Sequence, residues 1–108
     1  MTLPYVLETK RPLQIGLIVL QADETLERDM RHLLPTDAEL LVSRVPSGPV
    51  VSSDSLRQMG PVLTDAAALL PRGAACAAVG YGCTSGTAEI GVAQIAKLVQ
   101  TGVATPAV

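Results

Sequence analysis

The segment Gly80-Tyr-Gly-Cys-Thr-Ser-Gly-Thr87 sets a thiol, Cys83, between Gly82 and Gly86, with the hydroxyls of Thr84 and Ser85 directly after it. An apolar stretch precedes this run and a helical pattern follows it, so the thiol falls at the mouth of a helix. Free amides and the helix dipole there favour an anion, either a substrate carboxylate or the thiolate of Cys83 itself. A cysteine so placed can attack carbon or move a proton while neighbouring donors hold an enolate-like intermediate. The flanking glycines let a ligand approach the backbone. The plainer reading leaves Cys83 an ordinary small residue, with Thr84, Ser85 or Thr87 capping the helix.

The other chemistry-bearing residues read differently. Cys76 sits in the middle of Ala74-Ala-Cys-Ala-Ala-Val79, a small-residue strand in which a free cysteine behaves as a small hydrophobe. At about 3.3 Å per residue, an extended chain would hold it roughly 23 Å from Cys83, too far for an opposed second thiol. Asp23 follows the first apolar run, where it suits either a helix N-cap or a place across the crevice from Cys83. His32 falls in a polar helical stretch and reads as a solvated surface residue. One histidine and two cysteines make no zinc-ligand set, and no cofactor motif is present.

These residues need a scaffold, and the hydrophobic pattern describes one. After an irregular arm over residues 1–12, Gln14 to Leu20 is a near-continuous run of branched apolar residues, as in a strand buried on both faces of a parallel sheet. Asp23 then opens a helix with Leu26, Met30, Leu33 and Leu34 on one face, which Pro35 stops. Glu39 to Val45 reads as a second strand, followed by a loop through Pro46 to Val51. Ser52, Ser53 and Asp54 offer caps for a helix whose stripe of Leu56, Met59, Leu63, Ala66, Ala67 and Leu70 runs through Gly60-Pro61, where a kink or split is expected. Residues 74–79 form the third strand, 87–100 the next helix, ended by Gly102, and 104–108 the opening of a fourth strand. The expected fold is α/β, a three-layer open parallel sheet like half of a flavodoxin-type fold, in strand order 2-1-3-4 with helices on both faces. Ligands in such sheets bind outside the carboxyl ends of the strands. Asp23, Ser47 and Cys83 should therefore lie near one edge.

Composition limits the partners. The chain of 108 residues suits one domain with one modest core. With 48% hydrophobic and 17% charged residues it is too apolar for disorder and too interrupted by charge for a membrane span. A net charge of -2 with dispersed Lys and Arg, and Tyr5 and Tyr81 as its aromatic residues, leaves neither a basic footprint nor a stacking platform for nucleic acid. The absence of an export signal, together with unpaired cysteines, points to the cytoplasm. The last residues are apolar, where a further helix would normally cover the sheet, so the chain reads as half of something completed by a second half or by another copy.

Ile15-Gly-Leu-Ile-Val-Leu-Gln-Ala-Asp-Glu-Thr-Leu-Glu27, taken with Cys83-Thr84-Ser85-Gly86, resembles the amino-terminal half of maleate cis-trans isomerases and the related arylmalonate decarboxylases, members of the aspartate/glutamate racemase superfamily. The resemblance runs from Leu13 over nearly the whole chain. It implies a cofactor-independent enzyme of two pseudo-symmetric halves, each presenting a cysteine to one face of a small carboxylic acid. Cys83 would be the nucleophile of an isomerase or an acid/base thiol of a racemase. Thr84 and Ser85 match the pair that holds the enediolate in the decarboxylases, which carry glycine in place of Cys83. Gly82, Thr84, Ser85, Gly86 and Asp23 are thus the expected substrate-binding set. Where maleate isomerases hold a substrate carboxylate with asparagine, this chain has Asp23, which implies a protonated aspartate, an acid/base group as in glutamate racemases, or a different substrate. The second cysteine of the family lies in a carboxy-terminal half, so the competing expectation is an incomplete module that binds a carboxylate or serves assembly.

Overall fold

The computed structural model describes residues 2–7, 11–47, 52–104 and 107–108, with Leu56 described by its backbone alone. Its elements in chain order are β1 (Gln14–Leu20), α1 (Leu26–Leu33), β2 (Glu39–Val45), α2 (Ser53–Arg57), α3 (Met59–Ala68), β3 (Ala78–Tyr81), α4 (Thr84–Ile90) and α5 (Val92–Gly102). The three strands form a parallel sheet in the order β2-β1-β3. The described part of the expected fourth strand makes an isolated parallel bridge between Ala107 and Val79, with the Val108 N–H donating to the Val79 carbonyl at 2.8 Å. The tail thus lies on the outer edge of β3, although no fourth strand forms among the described residues; residues 105 and 106 lie outside them.

Alternation along β1 builds two cores. Leu17 and Val19 point to one face, where Leu40 and the half-buried Leu26, Met30 and Leu34 meet them. Ile18 points to the other, against Val45, Leu63, Ala66, Ala67, Val79, Ile95 and Val99. A central strand covered on both faces has to be apolar throughout, which is why β1 reads as a continuous run. Gly16 shares the second face: a Cβ there would lie 2.9 Å from Val79 Cγ2 and 3.1 Å from Leu70 Cδ1, so its absence admits the end of the α3 stripe. Helices α3 and α5 cover this face and cross closely at Gly102, where a Cβ would overlap the Thr64 carbonyl oxygen. The Thr64 hydroxyl donates across the crossing to the Leu98 carbonyl at 2.7 Å.

Four expectations are corrected. Leu33, assigned to the buried face of α1, is 79% exposed, because Leu34 leaves the helix in an extended conformation and turns inward in its place. The split near Gly60-Pro61 falls earlier, at Gln58; Pro61 sits in the first turn of α3, where its missing N–H has no intrahelical role. The third strand starts at Ala78 rather than Ala74. Before it, the chain is tied to β1 by the Ala77 N–H on the Gln14 carbonyl (2.8 Å) and the Ala75 N–H on Gln14 Oε1 (3.1 Å), which leaves Cys76 ahead of the strand but still buried. The helix expected over 87–100 begins at Thr84 and is broken by Gly91, whose φ of 101° only glycine adopts readily.

Candidate active site

Parallel pairing brings the carboxyl ends of all three strands to one side, and the loops leaving them are stitched together. The Gly82 N–H donates to the Ile18 carbonyl (2.8 Å) and the Gln21 N–H to the Val45 carbonyl (2.8 Å). Ser47 Oγ accepts from the Ala22 N–H at 3.0 Å. Arg44, near the end of β2, donates to the carbonyls of Leu20 and Asp23 at 2.9 Å each and pairs with Glu27 at 3.3 Å. The turn after β1 is thereby braced by a residue to which the sequence pattern gave no part.

Cys83 is itself the N-cap of α4. Its backbone is extended, and Sγ accepts from the Gly86 N–H at 3.3 Å, the bond a Ser or Asp oxygen makes at an ordinary cap. The Thr87 N–H (3.0 Å) and Thr87 hydroxyl (2.8 Å) both donate to the Cys83 carbonyl, and Ser85 Oγ lies 3.7 Å from Sγ. None of Thr84, Ser85 and Thr87 is therefore the cap. Although buried, Cys83 helps line a cavity of about 680 Å³ together with Gly82, Thr84 and Leu26. Much of the remaining wall is apolar, supplied by Val92, Ile95, Ala96 and Val108.

The glycines also make room for the protein's own atoms. A Cβ at Gly82 would overlap Leu26 Cδ2, so the space is taken by α1. A Cβ at Gly86 would lie 3.0 Å from both Cys83 Sγ and the Tyr81 hydroxyl, so that position makes room for the thiol and a phenol. Tyr81 is the site residue that sequence reasoning missed. Its side chain is half-buried, its hydroxyl donates to Met59 Sδ at 3.3 Å, and its pKa is pushed well up, first by burial and then by the charge and hydrogen bonding of Cys83. The signal available was its place two residues before Cys83, a spacing that puts both side chains on the same side of an extended chain.

Asp23 Oδ1 accepts from the backbone N–H groups of Thr25 (2.9 Å) and Leu26 (2.8 Å), closing the turn into α1. These bonds, the Leu26 bond foremost, hold its carboxyl below the usual value of 3.8, with the positive charge of Arg44 adding to them. Asp23 is therefore an ionised, cap-like group at neutral pH. Among the described residues, the cavity beside Cys83 is lined by Gly82 and Thr84 from the expected set and not by Asp23, Ser85 or Gly86. His32 is exposed on α1, as its polar surroundings suggest. No three His, Cys, Asp or Glu side chains among the described residues group as metal ligands, and no helix is long and apolar enough to cross a membrane.

The fold has a solved counterpart in the crystal structure of the maleate isomerase Iso from Pseudomonas putida S16, with a TM-score of 0.67 at 19% sequence identity. The fold is maleate-isomerase-like. The match covers 89% of this chain but 44% of that one, so the chain spans less than half the length of the isomerase it resembles. No family model matches the sequence, and no curated protein matches it at a significant level.

Proposed function

We propose that this chain forms half of a cofactor-independent isomerase or racemase in which Cys83 reacts with a small mono- or dicarboxylic acid. The observation that carries the reading is the coincidence of a maleate-isomerase-like fold with a thiol in the turn after β3, capping α4 and lining a cavity. In the isomerase form, the Cys83 thiolate adds to one alkene carbon and the π pair moves towards the carboxylate on the other. The resulting single bond rotates, and the returning pair expels the thiolate with the double bond restored in the opposite geometry. Thr84, which lines the cavity, offers a hydroxyl to the charge on the substrate, while Ser85 Oγ, 3.7 Å from Sγ, and the Gly86 N–H face the charge on sulfur. In the racemase form the same thiolate takes a proton from one face of the substrate, and a group on the other face returns one.

Either form needs a second wall, from another half or another copy of the chain, and a reducing compartment such as the cytoplasm to keep the thiol free. A non-catalytic assembly role is favoured by a separate observation, the exposure of Val92 (75%) and Val108 (80%) on the apolar wall of the same cavity. Labelling with bromomaleate and with neutral iodoacetamide, read by peptide mass spectrometry, separates the two. Carboxylate recognition makes bromomaleate the faster label at Cys83 and lets maleate protect against it. Equal rates without protection would favour the assembly role.

A further inference from the structure

The surroundings of the Cys83 sulfur are asymmetric. On one side Sγ receives the Gly86 N–H and faces Ser85 Oγ. On another lies the Tyr81 hydroxyl, which shares with Sγ the gap left by the missing side chain of Gly86, each atom 3.0 Å from the place a Cβ would take. Buried Met59 packs with Cys83 and accepts the Tyr81 hydroxyl at 3.3 Å. A thioether is a weak acceptor, whereas a hydrogen bond to an ionised partner is roughly twice as strong as a neutral one. We propose that Tyr81 is the positioning residue for the Cys83 thiol, its hydroxyl resting on Met59 while sulfur is protonated and turning to donate to Sγ when sulfur is a thiolate.

This rests on the reading of Cys83 as the reacting group, and it identifies the donor that steadies sulfur before attack and after its departure. Burial keeps the phenol protonated across the neutral range, so Tyr81 stays a donor throughout. Charged side chains on the elements packed around the site have other partners or face solvent. Asp54 and Arg57 on α2 pair at 3.8 Å, Arg57 meets Glu89 on α4 at 3.5 Å, and Asp65 on α3 and Lys97 on α5 are exposed. Asp23, after β1, is held by backbone amides.

The test is the pH profile of Cys83 alkylation by iodoacetamide, measured on the whole chain by mass spectrometry for the parent, Tyr81→Phe and Met59→Leu. Loss of the donor should slow alkylation near pH 7 by about tenfold and move the profile to higher pH. Loss of the competing acceptor should move it to lower pH. A folded Tyr81→Phe protein with the parent profile overturns the proposal; if that variant fails to fold, a Met59→Leu profile at or above the parent's overturns it instead. The profile involves no substrate, so shifted profiles alongside absent bromomaleate selectivity would remove the isomerase reading and leave the Tyr81 device standing.

Discussion

Cys83 and Cys76 are both free and both buried, yet they occupy different chemistry. Cys76 belongs to the core on the α3 and α5 face, where desolvation pushes its thiol pKa up. Cys83 lines a cavity and receives an amide donor. Brief iodoacetamide treatment near neutral pH should therefore label Cys83 well before Cys76, and equal or reversed labelling by peptide mass spectrometry would count against Cys83 as a nucleophile. Asp23 makes a second residue-level case. Its folded pKa is depressed, so its contribution to stability is fully present above the unfolded value near 3.8 and is lost as pH falls through the lower folded value. Asp23→Ala should lower unfolding free energy by about 1 kcal/mol at pH 7. Asp23→Asn should lose less, and urea titrations at falling pH should show the parent's advantage over Asp23→Ala shrinking below that value. The place of Cys83 at the mouth of a helix was legible from its glycine-flanked turn, and so was the capping ability of Asp23. The thiol's own capping role and the approach of Tyr81 were not, because a sulfur cap is uncommon and the phenol meets sulfur only once Gly86 is folded against both.

At the scale of elements, β1 stands where its branched apolar run placed it, since burial on two faces leaves an unambiguous pattern, and β2 falls on the expected Glu39 to Val45. The stretch from Ala74 to Ala78 has no such period, and its strand starts only where β1 offers partners, at Ile15 opposite Ala78. The breaks at Gln58 and Gly91 are likewise decided by packing and by a single glycine dihedral within sequences that keep a helical stripe. Gly102 shows how tightly the helices on this face meet. A Cβ there would overlap the Thr64 carbonyl oxygen and lie 2.8 Å from Ala67 Cβ and 2.9 Å from Ala68 N, atoms largely fixed by the α3 backbone. Gly102→Ala should therefore destabilise the protein by about 2 kcal/mol despite alanine's better helix propensity. Thermal unfolding would check this, and an unchanged or raised Tm would mean that α5 can slide away from α3.

At the scale of the molecule, the order β2-β1-β3 and the two covered faces were readable from the alternation of strands and helices, because short connections between parallel strands leave few topologies. The completeness of the site was not readable in the same way, since it depends on what stands opposite Cys83. The cavity holds Gly82, Cys83 and Thr84 against an apolar wall, and an isomerisation through a covalent intermediate needs a closed, water-poor pocket. The chain alone should thus turn over little or no maleate or aspartate. The most direct measurement is turnover of these acids by the chain mixed with the complementary half of a related maleate isomerase, alongside the same mixture made with Cys83→Ala. Activity is expected in the first mixture and should fall by at least about a hundredfold in the second, as for removal of a nucleophile. Equal turnover with and without the Cys83 sulfur, or none in either mixture, would contradict the reading of this chain as an enzyme half that reacts through Cys83.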